Sequence, residues 1–231
     1  MPERWIHKDL THKVEDILSQ ADAYHIKYYA SETFSGPSLY FHRRALADQD
    51  ISWTEKIELI YAVLASWGMH RMGAKGSKMQ RFVDFEKSIT SVRTDIDMLG
   101  QKELNALTKS DWDAIERVFK GIKVMASGAT IVGNSKVMAH ILPKIVAPVD
   151  REYTLNYLFG NKMFQNGLER EWKLMRKILL DFYHPIATDR KFQDKAKVWI
   201  ADEDCFQWDT SILKVVDNLV IGAVRKINDA D

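Results

Sequence analysis

The sequence predicts an all-α protein of about ten helices. Three observations lead to this fold class. Apolar side chains recur every three or four residues along most of the 231-residue chain, which is the spacing of one helix face. Residues that favour helix starts stand before several of these apolar stripes. Strict alternation of apolar and polar residues between turns, which would indicate a strand, does not occur in the sequence.

The first half of the chain carries five predicted helices. The clearest has an apolar stripe from Ile57 to Trp67, and Ser52 with Glu55 forms a capping box at its start. Gly68 is typical of a helix end. The apolar stripes of this half, with the residues that begin and end them, predict helices over residues 9–29, 38–47, 52–67, 79–99 and 110–126.

Five more helices are predicted in the second half. Pro143, Gly160 and Pro185 each end an apolar stripe, because proline lacks the amide hydrogen and glycine readily adopts left-handed backbone angles. Asp209 and Thr210 are the candidate caps of the last helix. These signals place helices over residues 134–142, 151–159, 168–182, 188–200 and 212–227.

The composition does not break along the chain, so residues 1–231 are predicted to form a single all-α domain. Two glycine-containing stretches, 68–78 and 121–133, interrupt the helical periodicity. They are the expected seams between two lobes of this domain.

Charge, cysteine content and hydropathy exclude several classes of protein. Lys plus Arg number 33 and Asp plus Glu number 32, so the net charge of +1 excludes a histone-like polycation. The single cysteine, Cys205, excludes an internal disulfide framework and indicates a cytoplasmic protein. No apolar run approaches the roughly 18 residues of a membrane span, so no membrane partner is expected. The seven histidines lack metal-binding spacing, so we expect no metal and no cofactor.

The segment from 129 to 160 carries the pattern most relevant to chemistry. Gly133 is predicted to form a left-handed turn before a helix, and Lys136 falls in the first turn of that helix. Pro143 ends the helix, and the apolar run 145–149 then leads into Asp150, which begins the next helix. The candidate caps of the first helix are Asn134 and Ser135.

This order of residues resembles the helix–hairpin–helix DNA glycosylase superfamily. There, a glycine turn opens a helix that can bear a catalytic lysine, and a short apolar segment delivers an aspartate at the start of the following helix. Gly133, Lys136 and the stretch 147–150 match this motif. The resemblance implies a compact two-lobed helical fold, with Lys136 and Asp150 facing a cleft between the lobes. The rest of the chain also resembles a bacterial family of that fold without an assigned activity.

The resemblance further implies base excision on double-stranded DNA, with the target nucleotide flipped into the cleft. Asp150 would stabilise the oxocarbenium-like sugar and activate a nucleophile. Lys136 would attack the sugar carbon and form a Schiff base. Arg151 would contact one phosphate, and backbone amides at the helix start would hold another. The residues of that helix start are Gly133, Asn134 and Ser135.

A second basic segment lies at residues 70–81. Its four cations have no acid between them. Its glycines are typical of a flexible loop, which could cradle phosphate from a nucleic acid or a small ligand. A solvated loop between helices is the alternative interpretation. The candidate phosphate-binding cations are Arg71, Lys75, Lys78 and Arg81.

Other interpretations of the central segment remain open. Asp is a favoured residue at helix starts, so Asp150 is also explained as a purely structural cap. Lys136 is also explained as a solvated helix residue, which is the usual state of lysine. The sequence therefore also fits a different class of protein, a non-catalytic helical module that binds a protein or a small phosphorylated ligand. It favours no particular lesion and no oligomeric state.

Overall fold

The computed structural model describes most of the chain. The described residues are 5–34, 36–47, 51–73, 76–126, 130–162, 164 and 167–225. Apart from one short ladder, their regular secondary structure is helical, which confirms the all-α prediction for this part of the chain. Among these residues, no helix combines the length and the apolar character that crossing a bilayer requires.

The described residues up to 126 form seven helices and one short antiparallel ladder. The helices are α1 (Thr11–Ser19), α2 (Ala21–Ser31), α3 (Pro37–Leu46), α4 (Trp53–Ser66), α5 (Phe82–Thr90), α6 (Arg93–Gly100) and α7 (Lys109–Gly121). The ladder pairs β1 (Met72–Gly73) with β2 (Gly76–Ser77). A 3₁₀ turn at Leu104–Ala106 precedes α7.

The described residues from 130 onward form six further helical segments. They are α8 (Thr130–Ile141), α9 (Asn156–Phe159), α10 (Leu168–Ile178), α11 (His184–Thr188), α12 (Arg190–Ala201) and α13 (Ile212–Val224). Two π-helical turns extend them: Arg151–Leu155 leads directly into α9, and Leu179–Tyr183 joins α10 to α11 without a break. Counting α10, its π turn and α11 as one helix gives twelve helices in the described residues, against about ten predicted.

The predicted ends of α4 are confirmed. The Ser52 hydroxyl accepts the Glu55 amide at 3.2 Å, which satisfies one of the amides that a helix start leaves without a partner. Gly68 follows the other end with φ +78°, an angle that favours glycine. The Met69 amide then donates to the Leu64 carbonyl at 3.1 Å, so the chain folds back over the end of the helix.

Two predicted helices are each divided in the structure. Residues 9–29 form α1 and α2, separated at Gln20, whose φ and ψ are −107° and 13°. Residues 79–99 likewise form α5 and α6. Across the first break the buried residues keep their helical spacing; they are Ile17, Ala21, His25 and Tyr28. The apolar pattern therefore predicts which face of these helices is buried but does not predict the break between them.

The prediction that Pro185 ends a helix was wrong. Inside a regular helix, a proline ring collides with the carbonyl four residues earlier and removes one hydrogen bond. Here the π turn Leu179–Tyr183 widens the backbone directly before Pro185, which lies in the first turn of α11. The helix therefore continues past the proline.

The described helices group into two compact units. The first unit draws on residues 1–33, 149–165 and 173–231, and the second on residues 34–148 and 166–172. Both seams predicted from glycine content, 68–78 and 121–133, lie within the second unit. The glycines there have other roles: Gly68 follows the end of α4, and Gly121 ends α7 where an added Cβ would lie 2.4 Å from the Val92 side chain. Gly68 thus serves a helix end and Gly121 close packing, and the two seams stay a prediction.

Helix α13 forms the centre of the first unit and packs most extensively on α2. Gly222 lies at this crossing, where an added Cβ would stand 2.1 Å from the Tyr24 carbonyl oxygen and 3.1 Å from the Tyr28 amide nitrogen. The two helix backbones can approach this closely only because residue 222 has no side chain. The α13 cap differs from the prediction: Ser211, rather than Asp209 or Thr210, accepts an amide of the first turn.

The second unit is built around α4 and α8. Helices α3 and α4 pack against each other, and α8 contacts α3, α4 and α7. The side chains that α4 and α8 bury in this core include Ile57, Ile60, Val63, Leu64, Val137 and Met138. The position of α8 is therefore set by three neighbouring helices.

We expect Gly222→Ala to lower the free energy of unfolding by about 1–3 kcal/mol, because the added methyl group has no room beside the α2 backbone. Urea unfolding followed by circular dichroism measures the change. Gly100→Ala is the matched control, since an added Cβ there has nothing within 4 Å. It should be neutral or stabilise by about 0.5 kcal/mol. Equal stability of Gly222→Ala and the wild type would contradict the close approach of α2 and α13.

Candidate functional site

Helix α8, which carries the candidate residues Gly133 to Lys136, begins earlier than predicted. Its first residue is Thr130, so Gly133, Asn134 and Ser135 lie inside the helix and are buried. Gly133 is not among the described glycines with a positive φ angle. The predicted left-handed turn at Gly133 is therefore wrong, and Lys136 lies beyond the first turn of the helix.

Packing explains the glycine at position 133. An added Cβ would lie 2.5 Å from Met125 Cγ and 2.8 Å from Val124 Cγ1. Helix α8 therefore rests directly on the extended segment that follows α7. Gly133 permits this contact because it has no side chain, rather than because it adopts unusual backbone angles.

Asn134 bonds to the end of α7. Its side-chain amide donates to the carbonyl oxygens of Phe119 and Ile122 at 2.7 and 2.9 Å, so it satisfies two acceptors that the helix end would otherwise bury. The residue is 1 % exposed. The Asn134 side chain is thus engaged inside the protein and does not act as the predicted helix cap.

A carboxylate occupies the start of α8. The Ile131 amide donates to Glu171 Oε2 at 2.6 Å, and Glu171 is buried. A phosphate at this helix start would stand beside that negative charge, which disfavours an anion. The amides of Gly133 and Asn134 lie within the helix and not at its start, and the phosphate-binding role of residues 133–135 stays a prediction.

Lys136 is half-buried and lies beside an aromatic ring. Its Nζ stands 5.4 Å from the centre of the Trp67 ring, a cation–π contact that holds the amine at this position. Its carbonyl oxygen accepts from His140 Nδ1 at 2.7 Å. His140 Nε2 lies 2.9 Å from His42 Nδ1, so in a neutral His140 ring this nitrogen accepts the hydrogen of His42. The surroundings of Lys136 are therefore ordered rather than those of a solvated lysine.

Asp150 begins its helix as predicted. The backbone is extended there, with φ −119° and ψ 145°, and Oδ1 accepts the Glu152 amide at 2.7 Å. In return, the Asp150 amide donates to Thr154 Oγ1 at 3.1 Å. The preceding residues 145–149 are all buried. The cap is confirmed, and the catalytic role of Asp150 stays a prediction.

The predicted site residues divide between the two units. Asp150 and Arg151 belong to the first unit, and Lys136 belongs to the second. Arg151 is half-buried in the π turn that leads into α9. The role of Arg151 as a phosphate contact stays a prediction.

The basic segment at 70–81 is only partly described. Arg71 and Lys78 are exposed, and Lys75 lies outside the described residues. Arg81 precedes α5, where its Nε donates to Asp84 Oδ2 at 2.8 Å. Arg71 and Lys78 therefore point to solvent near the β1–β2 ladder, whereas Arg81 is engaged with an acid of the adjoining helix.

The sequence prediction missed a buried polar cluster in the first unit. His25 Nε2 lies 2.6 Å from Asp209 Oδ2, and the His25 ring stacks on Trp199 at a centroid distance of 3.9 Å. Asp209, predicted as a helix cap, is 3 % exposed and also accepts from Asn218 Nδ2 at 2.7 Å. The polar pair 217–218 within the apolar stripe of α13 was the available signal, because buried polar groups require partners.

The described residues contain no group of three His, Cys, Asp or Glu side chains that could hold a metal ion. Cys205 is exposed, and the neighbouring Asp202 carboxylate raises the pKa of its thiol. A raised pKa lowers the fraction of reactive thiolate. Nucleophilic chemistry at Cys205 is therefore disfavoured.

We expect Asn134→Ala to lower the free energy of unfolding by about 1–3 kcal/mol, since it leaves two buried carbonyl oxygens without donors. Urea unfolding measures the loss. Asn105→Ala, which changes the same side chain at an exposed position, should alter stability by less than about 0.5 kcal/mol. Similar losses in both variants would show that Asn134 does not hold the end of α7.

Comparisons with protein-family models, curated proteins and solved structures give no match to this chain.

Proposed function

We propose that this protein binds double-stranded DNA and excises bases in the manner of a DNA glycosylase with lyase activity. Asp150 is the catalytic carboxylate, and Lys136 supplies the amine. The observation that carries the proposal is the placement of Asp150. It stands at a helix start, in extended backbone, directly after a buried apolar segment, which is the position of the aspartate in the superfamily that the sequence resembles.

The proposed role of the Asp150 carboxylate follows from the hydrogen bond that it accepts as a helix cap. Oδ1 accepts the Glu152 amide, and this hydrogen bond stabilises the ionised form of the carboxyl group. An ionised carboxylate stabilises the positive charge that develops on the sugar as the glycosidic bond breaks. It can also accept the proton of the attacking nucleophile.

The amine chemistry requires Lys136 to lose its proton before it attacks. The neutral amine bonds to the anomeric carbon of the sugar, and the base leaves with the electron pair of the glycosidic bond and takes up a proton. The nitrogen then forms a double bond to the anomeric carbon as the bond from that carbon to the ring oxygen breaks, and the ring oxygen takes up the remaining nitrogen proton, which gives the Schiff base. The contact with Trp67 holds the protonated Lys136 beside the ring, and the amine gives up this contact when it loses its proton and attacks.

A second candidate function is a non-catalytic helical module that binds a protein or a small phosphorylated ligand. One observation favours it specifically. Glu171 accepts the Ile131 amide at the start of α8, and Asn134 is engaged with α7, so these groups already have partners within the protein; this favours a module that binds a protein over one that holds a phosphate here.

We expect borohydride to trap this protein covalently on an oligonucleotide that carries an abasic site or a damaged base, since reduction converts the Schiff base into a stable secondary amine. Lys136→Ala should abolish the adduct, and Lys144→Ala should leave it unchanged, because Lys144 is exposed and bonds to Glu103. Gel electrophoresis under denaturing conditions measures the adduct. No adduct across a panel of lesions would eliminate the lysine mechanism and leave the module as the better explanation.

The role of the carboxylate is tested separately from the cap. Asn is as good a helix cap as Asp, so Asp150→Asn should keep the fold while it removes the negative charge. Single-turnover excision should fall by about 10²-fold or more, with an unchanged melting temperature. An excision rate equal to that of the wild type would make Asp150 a structural cap only.

We expect duplex affinity to fall with salt, because each cation that neutralises a phosphate releases a counterion. Arg71→Ala combined with Lys78→Ala should reduce the slope of log affinity against log salt by about 1.8, or about 0.9 for each lost contact. Fluorescence anisotropy between low and physiological salt measures the slope. Lys197→Ala, an exposed lysine of α12, is the control. An unchanged slope in the double variant would place the basic segment away from the DNA.

A further inference from the structure

Two lysines near the start of the described chain lie over aromatic rings of α9 in the first unit. Lys13 Nζ stands 4.2 Å from the centre of the Tyr157 ring, and Lys8 Nζ stands 5.7 Å from the centre of the Phe159 ring. Both are cation–π distances, and both lysines are half-buried. The two ammonium groups are therefore held in place at the surface beside α9.

An aromatic partner leaves the charge of a lysine in place, whereas a carboxylate neutralises it. The face of the ring carries only a partial negative charge, so it attracts the ammonium group without cancelling its charge. An ammonium group has three N–H donors, so donors remain for a second partner. Among the described residues, Lys8 and Lys13 form no ion pair with a carboxylate. The two lysines can therefore attract a negatively charged ligand to this surface.

Aromatic packing fixes the end of α9 below these lysines. Phe164, which follows α9 in the chain, packs edge-on against Phe159 and Trp5 at centroid distances of 5.5 and 6.2 Å. Gly160 lies between α9 and Phe164 with φ +65°, a left-handed angle that favours glycine. These ring contacts join residue 5, the end of α9 and residue 164 into one packed group.

Asp16 lies one turn after Lys13 on α1, and two phenols engage its carboxylate. The Tyr157 hydroxyl donates to Asp16 Oδ2 at 2.5 Å, and the Tyr24 hydroxyl lies 3.1 Å from both carboxylate oxygens. Burial and the charge of Asp16 raise the pKa of both phenols, so each keeps its proton and donates it. The Asp16 carboxylate is thus bonded to phenols and not to Lys8 or Lys13.

A third lysine stands beside the candidate catalytic carboxylate. Lys162 forms an ion pair with Glu152, and the Glu152 amide donates to Asp150 Oδ1 at 2.7 Å. The Lys162 and Glu152 side chains are 44 % and 58 % exposed, and ion pairs this exposed contribute little to stability. A phosphate group, which accepts strong hydrogen bonds from lysine, can therefore take the place of Glu152 at Lys162.

We infer that a lysine surface formed by Lys8, Lys13 and Lys162 binds the phosphate backbone of DNA next to Asp150. The inference rests on the DNA binding of the proposed function, and it adds the surface of the first unit that holds the backbone. The phosphate backbone is a row of negative charges, which matches lysines whose charge is not neutralised. Such contacts position a protein on the duplex without reading its sequence.

The first experiment measures the salt dependence of duplex binding by fluorescence anisotropy, with an oligonucleotide that carries an abasic site. Lys8→Gln, Lys13→Gln and Lys162→Gln should each reduce the slope of log affinity against log salt by about 0.9, and the triple variant should reduce it by about 2.7. Arginine at the same three positions keeps the charge and should keep the slope. Lys197→Gln, in an exposed lysine of α12, is the matched control. A triple variant that melts like the wild type and keeps its slope would overturn the inference.

The second experiment changes Glu152, which competes with the phosphate for Lys162. Glu152→Gln keeps the backbone amide that bonds to Asp150, and it should raise the affinity for the duplex about two- to fivefold. The gain should be smaller when Lys162→Gln is also present, because the competition is then absent. Glu58→Gln, in an exposed glutamate of α4, is the matched control. An affinity that does not rise, or an equal gain in both backgrounds, would contradict the place of Lys162 in the lysine surface.

Binding and excision together separate this inference from the proposed function. If the wild type forms the borohydride adduct and the triple variant keeps the wild-type slope, the inference fails and the proposed function stands. If the lysines carry duplex binding and no adduct forms across the panel of lesions, the enzymatic proposal fails and the lysine surface is that of a DNA-binding module. A wild type that does not bind the duplex at low salt would overturn both.

Discussion

Helix α13 is buried along most of its length, yet it carries Asp217 and Asn218 into the core of the first unit. An unpartnered polar group in such a place costs about 1–3 kcal/mol, and an unpaired charge costs more. The neighbouring elements therefore have to supply donors and acceptors at defined positions. The loop before α13 supplies the Trp208 carbonyl oxygen and the Asp209 carboxylate, which both accept from Asn218. Lys214 of α13 itself donates to Asp217, and His25 of α2 bonds to Asp209. These bonds tie the loop before α13, and through Asp209 also α2, to the buried polar residues of α13.

In the second unit, the buried polar groups that need partners are backbone groups at helix ends. Helix α7 ends inside the protein, where its last carbonyl oxygens need donors, and Asn134 of α8 provides them. The amide of Ile131 at the start of α8 needs an acceptor, and the carboxylate of Glu171 provides it. Gly133 allows α8 to come close enough for these bonds to form. Of the three residues predicted to bind phosphate, 133 to 135, Gly133 thus allows close packing and Asn134 bonds to the end of α7.

Local signals predicted those parts of the fold that depend on neighbouring residues in the chain. The caps at Ser52 and Asp150 were predicted because each acts on an amide two or three residues away in the chain. The second half of the predicted capping box does not form, because the Glu55 carboxylate bonds to Arg44. Other features depend on distant partners. His25 and Asp209 are 184 residues apart, so the sequence near either residue does not predict their contact. The start of α8 was misplaced for the same reason, because a glycine that packs and a glycine that turns look alike in sequence.

The division of the chain between the two units has a consequence for the order in which they can fold. The first unit joins α2 to α13, which are separated by the whole of the second unit. During synthesis α2 is made before the second unit, and the helix that covers its apolar face, with Tyr28 and Ala21, is made after it. Helices α3 to α8 find most of their partners close by in the chain and can form while synthesis continues. The first unit therefore cannot complete its core until α13 is made, and the apolar face of α2 stays uncovered by α13 until then.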